Sequence, residues 1–92
     1  MNDIIDRLLL LFELEDIKMP WLESQTGVKV DRWHTIKKGK VMRTTELESI
    51  YHVYPEYKVW LATGMEMPEH GQVSPMTKRT QKDLNRQVTG SE

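Results

Sequence analysis

Cysteine is absent from the 92-residue sequence, so disulfide bonds and thiolate metal sites are excluded. Histidines are sparse: His34, His52 and His70 stand eighteen residues apart, and no pair has the spacing of metal ligands on one helix. We therefore expect neither a metal nor a cofactor. The missing cysteines also fit a reducing compartment, and we expect a cytoplasmic protein.

A long hydrophobic run is also missing. The most apolar stretch, residues 4–14, is interrupted by Asp6 and Arg7 and is much shorter than the roughly 20 residues that cross a bilayer. Its charges lie inside the stretch, whereas a secretory signal carries them in front. The stretch predicts an amphipathic helix, and we expect no membrane partner.

The motifs of common enzymes are lacking too. The run Lys37-Lys38-Gly39-Lys40 does not have the spacing of a phosphate-binding loop. No isolated pair of carboxylates stands in an apolar context, as a tuned general acid and base would need. A nucleophile and its base would have to meet from distant positions in a very small domain. We therefore expect that the chain is not an enzyme.

What the sequence does have is an uneven charge. Residues 28–43 carry a net charge of +5, although the formal net charge of the chain is only −1. Residues 1–27 and residues 44–75 each carry −4, and residues 76–92 carry +2. A basic stretch on an acidic body is a candidate binding surface for a polyanion. On charge alone, a solvated basic face is the commoner explanation.

Helical spacing of apolar residues, with capping and stop signals, predicts five short helices before residue 64. They are expected over residues 4–15, 20–26, 30–38, 45–54 and 55–63. Thr45 and Glu48 have the spacing of a capping box at the start of the fourth helix. Gly39 is expected to follow the third helix as a left-handed stop. Residues 65–75 predict a loop, and residues 76–92 a weak helix or a disordered segment.

The most informative stretch is residues 26–39, TGVKVDRWHTIKKG. Gly27 makes a turn between two short helices, and a second glycine, Gly39, follows twelve residues later. The helix between the glycines is short and basic, and its outward face is polar. A helix of this kind fits the major groove of DNA, where its first residues would meet the base edges.

The stretch resembles the helix-turn-helix of the Cro/CI-like (XRE) family of bacterial and phage regulators. The positions that match in order and spacing are Leu22, Gly27, Val28, Trp33, Ile36 and Gly39. The positions that match the fourth and fifth helices of the family are Leu47, Ile50, Leu61 and Gly64. The resemblance covers about residues 4–64, and the following segment, residues 60–75, is similar to that of small phage-type regulators. Two positions differ from the pattern: Glu23 replaces a small residue, and Lys29 replaces a Ser or Thr cap.

This resemblance implies an all-α protein with a compact, five-helix, lambda-repressor-like DNA-binding domain and a polar C-terminal tail. We expect the helix-turn-helix domain over residues 1–64. Residues 65–92 would form a C-terminal loop and tail that mediates dimerisation or is disordered.

The resemblance also assigns residues to DNA. The base-contacting positions would be Val30, Asp31, Arg32 and Thr35. Arg32 could bind both acceptors of a guanine, and the less favoured alternative is that it is solvated or pairs with an acidic residue. The phosphate-contacting positions would be Gln25, Lys29, Lys37, Lys38, Lys40 and Arg43. Lys37 and Lys38 could instead only complement the end of their helix.

The leading interpretation is a sequence-specific, double-stranded DNA-binding regulator, a repressor, that inserts residues 30–38 into the major groove. We expect a homodimer on a pseudo-palindromic operator, because one short recognition helix reads little sequence. The alternatives are an antitoxin, or a phage accessory protein, that uses the helical domain and tail to bind a protein partner.

Overall fold

The computed structural model describes residues 3–39 and 41–90, and in these ranges the chain is helical without a β-strand. Its six α-helices are α1 (Ile4–Leu14), α2 (Met19–Thr26), α3 (Val30–Gly39), α4 (Thr44–Val53), α5 (Lys58–Thr63) and α6 (Pro75–Gly90). Short 3₁₀ turns occupy Pro55–Tyr57 and Pro68–His70. The expectation of an all-α protein is confirmed for these ranges, with five helices before residue 64 and a sixth in the tail.

Helix α1 is the centre of the molecule. Asp3 caps it, because its carboxylate accepts the backbone N–H of Asp6 at 2.9 Å. The stripe formed by Ile5, Leu8, Leu11 and Phe12 is buried. Arg7 is buried as well, and its Nε donates to the carbonyl of Leu61 at 2.9 Å. The residue that breaks the apolar run in the sequence thus satisfies a carbonyl near the end of α5.

Apolar side chains from every helix before residue 64, and from the segment that follows, form the hydrophobic core. Its buried members are Ile5, Leu8, Leu11, Phe12, Leu22, Trp33, Ile36, Ile50, Tyr57, Trp60, Leu61 and Val73. Trp33 is the largest fully buried side chain, and it meets Phe12 edge to face with ring centroids 5.9 Å apart. Its indole N–H finds no acceptor among the residues that the structure describes.

The corner between α2 and α3 is a tight turn at Gly27, whose φ of +75° lies in the left-handed region. The N–H of Gly27 donates to the carbonyl of Glu23 at 2.8 Å. Thr26 holds both sides of the turn: its hydroxyl donates to the carbonyl of Leu22 and accepts the N–H of Val28. The predicted glycine turn is confirmed.

Several predicted helix ends differ from the structure, most of them by one residue, and the fifth helix begins at Lys58 rather than Pro55, after a 3₁₀ turn. Helix α4 begins at Thr44 rather than Thr45, and the expected capping box of Thr45 and Glu48 does not form. Glu46 takes that part instead, because its Oε1 accepts the backbone N–H of Arg43 at 2.8 Å. Gly39 is the last residue of α3 itself, and its φ is not left-handed.

The segment after α5 returns to the core before α6 begins. Val73 is buried and its N–H donates to the carbonyl of Glu56 at 2.9 Å. Ser74 then caps α6, because its hydroxyl accepts the N–H of Thr77 at 3.1 Å, and Pro75 takes the first helical position. Lys78 forms an ion pair with Glu56. Among the described residues of the tail, α6 continues to Gly90.

Candidate nucleic-acid interface

Helix α3 has one buried face and one exposed face. Trp33 and Ile36 are fully buried against the core. The exposed positions on the opposite side follow the helical period and are Asp31, His34, Thr35 and Lys38. The helix therefore presents a polar face about two turns long at the surface.

The four predicted base-contacting residues lie in three different environments on α3. Asp31 and Thr35 are exposed on its outward face, and the Thr35 hydroxyl donates to the carbonyl of Asp31 at 3.0 Å. Val30 is half-buried at the start of the helix. Arg32 lies on the flank that faces α4, where it is paired with Glu46. The structure thus brings Asp31 and Thr35 together and sets Val30 and Arg32 to either side.

The pair of Arg32 and Glu46 has a bidentate geometry. The Nε of Arg32 donates to Oε2 of Glu46, and Nη2 donates to Oε1 at 2.9 Å. The side chain of Glu46 is only 6% exposed, against 28% for Arg32. The hydrogen bond from Arg32 is the main reason that the pKa of Glu46 lies below its usual range, and the same bond raises the pKa of Arg32.

The predicted phosphate-contacting residues surround α3. Lys29 precedes the helix, and Lys37 and Lys38 lie in its last turn; all three are exposed. Gln25 is exposed near the end of α2, and Arg43 is exposed at the cap of α4. The sixth predicted position, Lys40, lies outside the described residues.

Sequence reasoning missed the residue that caps α3. Glu23 of α2 accepts the backbone N–H of Val30 through Oε1 at 2.8 Å. A carboxylate at the first turn of a helix satisfies a free N–H and complements the helix dipole. In the family pattern, a Ser or Thr at the position of Lys29 caps this helix. Here Glu23, the other position that differs from the pattern, provides the cap instead.

Sequence reasoning also missed His34 and Glu46 as parts of this surface. His34 was considered only as a metal ligand, yet its spacing from Asp31 and Lys38 places it on the outward face. The helical period opposite Trp33 and Ile36 was the signal that could have identified it. No comparable signal identifies Glu46, because its contact with Arg32 joins two residues that are fourteen positions apart in the chain and lie on different helices.

Among residues 3–39 and 41–90, no group of three His, Cys, Asp or Glu side chains could hold a metal ion. Within the same ranges, no helix combines the length and the apolar character that crossing a membrane requires.

The fold of this chain is similar to that of solved protein structures. No protein-family model and no curated protein matches the chain. Among solved structures, the fold is similar to that of Pf6r from the filamentous phage Pf6 of Pseudomonas aeruginosa PA01. The TM-score is 0.76 at 29% sequence identity, over 91% of this chain and 99% of that chain. The chain therefore shares its helical architecture with a small phage protein along nearly its whole length.

Proposed function

We propose that the chain is a non-enzymatic, sequence-specific regulator of the Cro/CI-like type that binds double-stranded DNA and represses transcription. The observation that carries this proposal is the division of α3. The helix is anchored by Trp33 and Ile36, and it presents a polar face immediately after the glycine turn at Gly27. A rigidly held helix with an outward polar face is what reading the major groove requires.

The bases would be read by the first two turns of α3. Thr35 can donate to a base or touch a thymine methyl, and Asp31 can accept from a cytosine amino group. His34 lies on the same face and adds a third hydrogen-bonding side chain. Val30 can meet a thymine methyl, and Arg32 is suited to a guanine.

The lysines and Arg43 would position the protein without reading sequence. Lys29 precedes α3 and Lys37 and Lys38 lie in its last turn, on a stretch with a net charge of +5, and this suits contact with the two phosphate strands that border the groove. The acidic segments on either side of that stretch in the sequence would be repelled by DNA and would help to orient the molecule.

A homodimer on a pseudo-palindromic operator is part of the proposal. One recognition helix covers few base pairs, and a dimer doubles the sequence that is read. Helix α6 is a candidate dimer surface, because it projects polar and apolar side chains to the surface, among them Leu84, which is 55% exposed.

The test is selection of a site from a random duplex library, followed by titration of the selected duplex and a scrambled duplex near about 150 mM salt. We expect a preference of about 10³-fold or more for a two-fold symmetric site. Binding that ignores sequence would refute the groove-reading role.

A matched pair of variants sharpens that test. Thr35→Ala should relax the preference at one base position, because Thr35 would touch a base. Lys37→Ala should weaken binding to both duplexes alike and reduce the salt dependence by about one ion, because Lys37 would touch a phosphate. Equal effects of the two substitutions on specificity would contradict this division of roles.

A second candidate function is binding of a protein partner, as an antitoxin or a phage accessory protein would do. It is favoured by the exposed methionines that flank the hydrogen bond between Glu66 and Ser74, namely Met65, Met67 and Met76. Exposed methionines adapt readily to a partner surface. Loss of a co-purifying partner in Met65→Glu, with DNA affinity unchanged, would support this function.

A further inference from the structure

The contact between Arg32 and Glu46 uses one edge of the guanidinium and leaves another edge available. A guanidinium carries five N–H groups in one plane. The Nε–H and one N–H of Nη2 point to the two carboxylate oxygens of Glu46. Both N–H groups of Nη1 and the second N–H of Nη2 are not used by this contact. Two of these, one on Nη1 and one on Nη2, are parallel and form the end of the fork.

The end of the fork is the edge that recognises guanine. Guanine presents two neighbouring acceptors, O6 and N7, in the major groove, and an arginine meets them with two parallel N–H groups. The ion pair within the protein and the base contact can therefore use the same guanidinium at the same time. We propose that Glu46 is a positioning residue that holds Arg32 ready to bind a guanine; this inference rests on the proposed function.

Glu46 is well placed to hold another side chain. Its carboxylate is nearly buried and accepts three N–H groups, two from Arg32 and the backbone N–H of Arg43. The Arg43 contact ties the carboxylate to the first turn of α4. Because the carboxylate is nearly buried and is held through Oε1 by Arg43 independently of Arg32, the arginine loses much of its side-chain freedom before any DNA arrives, and binding then costs less entropy.

The charge of the pair distinguishes this role from a simple phosphate contact. Glu46 neutralises most of the attraction that Arg32 would have for a phosphate, so a paired arginine is a poor general anchor for DNA. Pairing is useful where orientation matters more than charge, as it does for two parallel hydrogen bonds to one base. The surface lysines of α3 remain the better phosphate anchors.

The experiment uses the full chain and the duplex that the wild-type protein selects. Arg32→Ala identifies the guanine as the base position whose preference it removes. Glu46→Gln should then reduce the preference for that guanine about 10-fold while leaving the other positions intact. Its affinity for a scrambled duplex should stay the same or rise, because a negative charge near the DNA has been removed.

Two controls separate positioning from other effects. Glu48→Gln removes the same charge from an exposed position on α4 and should leave the guanine preference unchanged. The double variant Arg32→Ala/Glu46→Gln should lose no more specificity than Arg32→Ala alone, because Glu46 acts through Arg32. If Glu46→Gln keeps the preference within about 2-fold while Arg32→Ala loses it, Glu46 is not a positioning residue.

A measurement on the wild-type protein covers the case in which Glu46→Gln does not fold. The Nε–H of Arg32 should give a protected NMR signal in the free protein and keep it in the specific complex. Loss of that signal on binding would mean that Arg32 leaves Glu46 to reach DNA, and it would overturn the proposal. Failure of the wild-type chain to select any site would overturn the proposed function itself, whereas selection of a site unaffected by Arg32→Ala would overturn only the inference.

Discussion

Helices α3 and α6 are both basic and both carry exposed side chains, but they are attached to the protein in different ways. Helix α3 is held near both its ends and in its middle: Glu23 caps its first turn, Trp33 and Ile36 are fully buried, and Arg32 is paired with Glu46. Contacts from three other helices thus fix its position and its rotation.

Helix α6 is held at its beginning. Ser74 and Pro75 are buried where it starts, and Lys78 pairs with Glu56 and lies 5.5 Å from the centre of the Tyr57 ring. From residue 79 to residue 84 every side chain is exposed. The molecule is accordingly elongated, with principal extents of 46 × 26 × 23 Å.

The difference teaches what each helix can do. A side chain on a fixed helix meets a rigid target such as a base pair with little loss of entropy, so α3 suits direct reading of sequence. A helix held at one end opens locally at low cost and offers its free surface to a partner. The charge of the two helices is similar, and their attachment distinguishes them.

The largest loss of stability is expected from a substitution in the buried face of α3. Trp33→Ala should lower the free energy of unfolding by about 3–5 kcal/mol, because it removes the largest buried side chain and leaves a cavity beside Phe12. Urea denaturation followed by circular dichroism measures it.

Trp33→Phe is the matched control. It keeps most of the buried area and removes the indole N–H, which has no acceptor among the described residues. It should therefore cost much less than Trp33→Ala. A cost for Trp33→Ala below about 1 kcal/mol would show that α3 is not anchored through this residue.

The next largest loss of stability is expected at two glycine turns, one that leads into α3 and one that leads towards α6. Gly27 and Gly64 both have left-handed backbones, with φ of +75° and +80°. Alanine at either position should cost about 1 kcal/mol or more in strain. A Cβ at Gly27 meets open space, whereas one at Gly64 lies 3.3 Å from Nη1 of the buried Arg7. Thermal unfolding should rank Gly64→Ala as the more harmful, and the reverse order would contradict the close approach.

The start of α6 should give a smaller and more local effect. Ser74→Ala removes the side chain that caps the helix and should cost about 1 kcal/mol. Hydrogen exchange should show faster exchange in α6 while the amides of α3 keep their protection, because α3 does not depend on this cap. Equal loss of protection in both helices would mean that α6 is as firmly integrated as α3.

The pH dependence of stability should depend on one carboxylate beside α3 and on one beside the start of α6. Hydrogen bonds from Arg32 lower the pKa of Glu46, and those from Thr77 and then Ser74 lower the pKa of Glu66, from usual values near 4.5. A lowered pKa in the folded state means that each group stabilises the fold above its usual pKa and loses that contribution as the pH falls through the lowered value.

We therefore compare the free energy of unfolding of wild type with that of Glu46→Gln, and separately with that of Glu66→Gln. Each difference should be largest near neutral pH and should decrease towards pH 3. Urea denaturation at a series of pH values measures both differences. A difference that does not change with pH would show that the carboxylate is not stabilised by these hydrogen bonds.

Local patterns in the sequence were sufficient for most of the architecture before residue 64. The helical period placed Trp33 and Ile36 on one face of α3, and Gly27 marked the turn before it. These features depend on neighbours within one or two turns, so they can be read without knowing how the helices pack. The start of α6 was also readable, because Ser74 and Pro75 form a typical cap and first position, but the polar composition of the tail concealed it.

The contacts that fix the candidate site could not be predicted in the same way. Glu23 reaches Val30 across a corner, and Glu46 reaches Arg32 from another helix. Both depend on the angle at which two helices meet, and no local spacing encodes that angle. The wrong capping box at Thr45 has the same origin, because Glu46 competes for the cap while it also pairs with Arg32.

The smallest effect is expected at the far end of α6. Leu84 is 55% exposed in the single chain, so Leu84→Ala should change the free energy of unfolding by less than about 0.5 kcal/mol at low protein concentration. If α6 is the dimer surface, the same substitution should lower the unfolding temperature at high concentration, because the dimer stabilises the fold by mass action. Thermal unfolding of wild type and variant over a 100-fold range of concentration separates the two contributions. A large loss at every concentration would mean that Leu84 is packed within the single chain, and the contrast between a fully anchored α3 and an α6 held at one end would then fail.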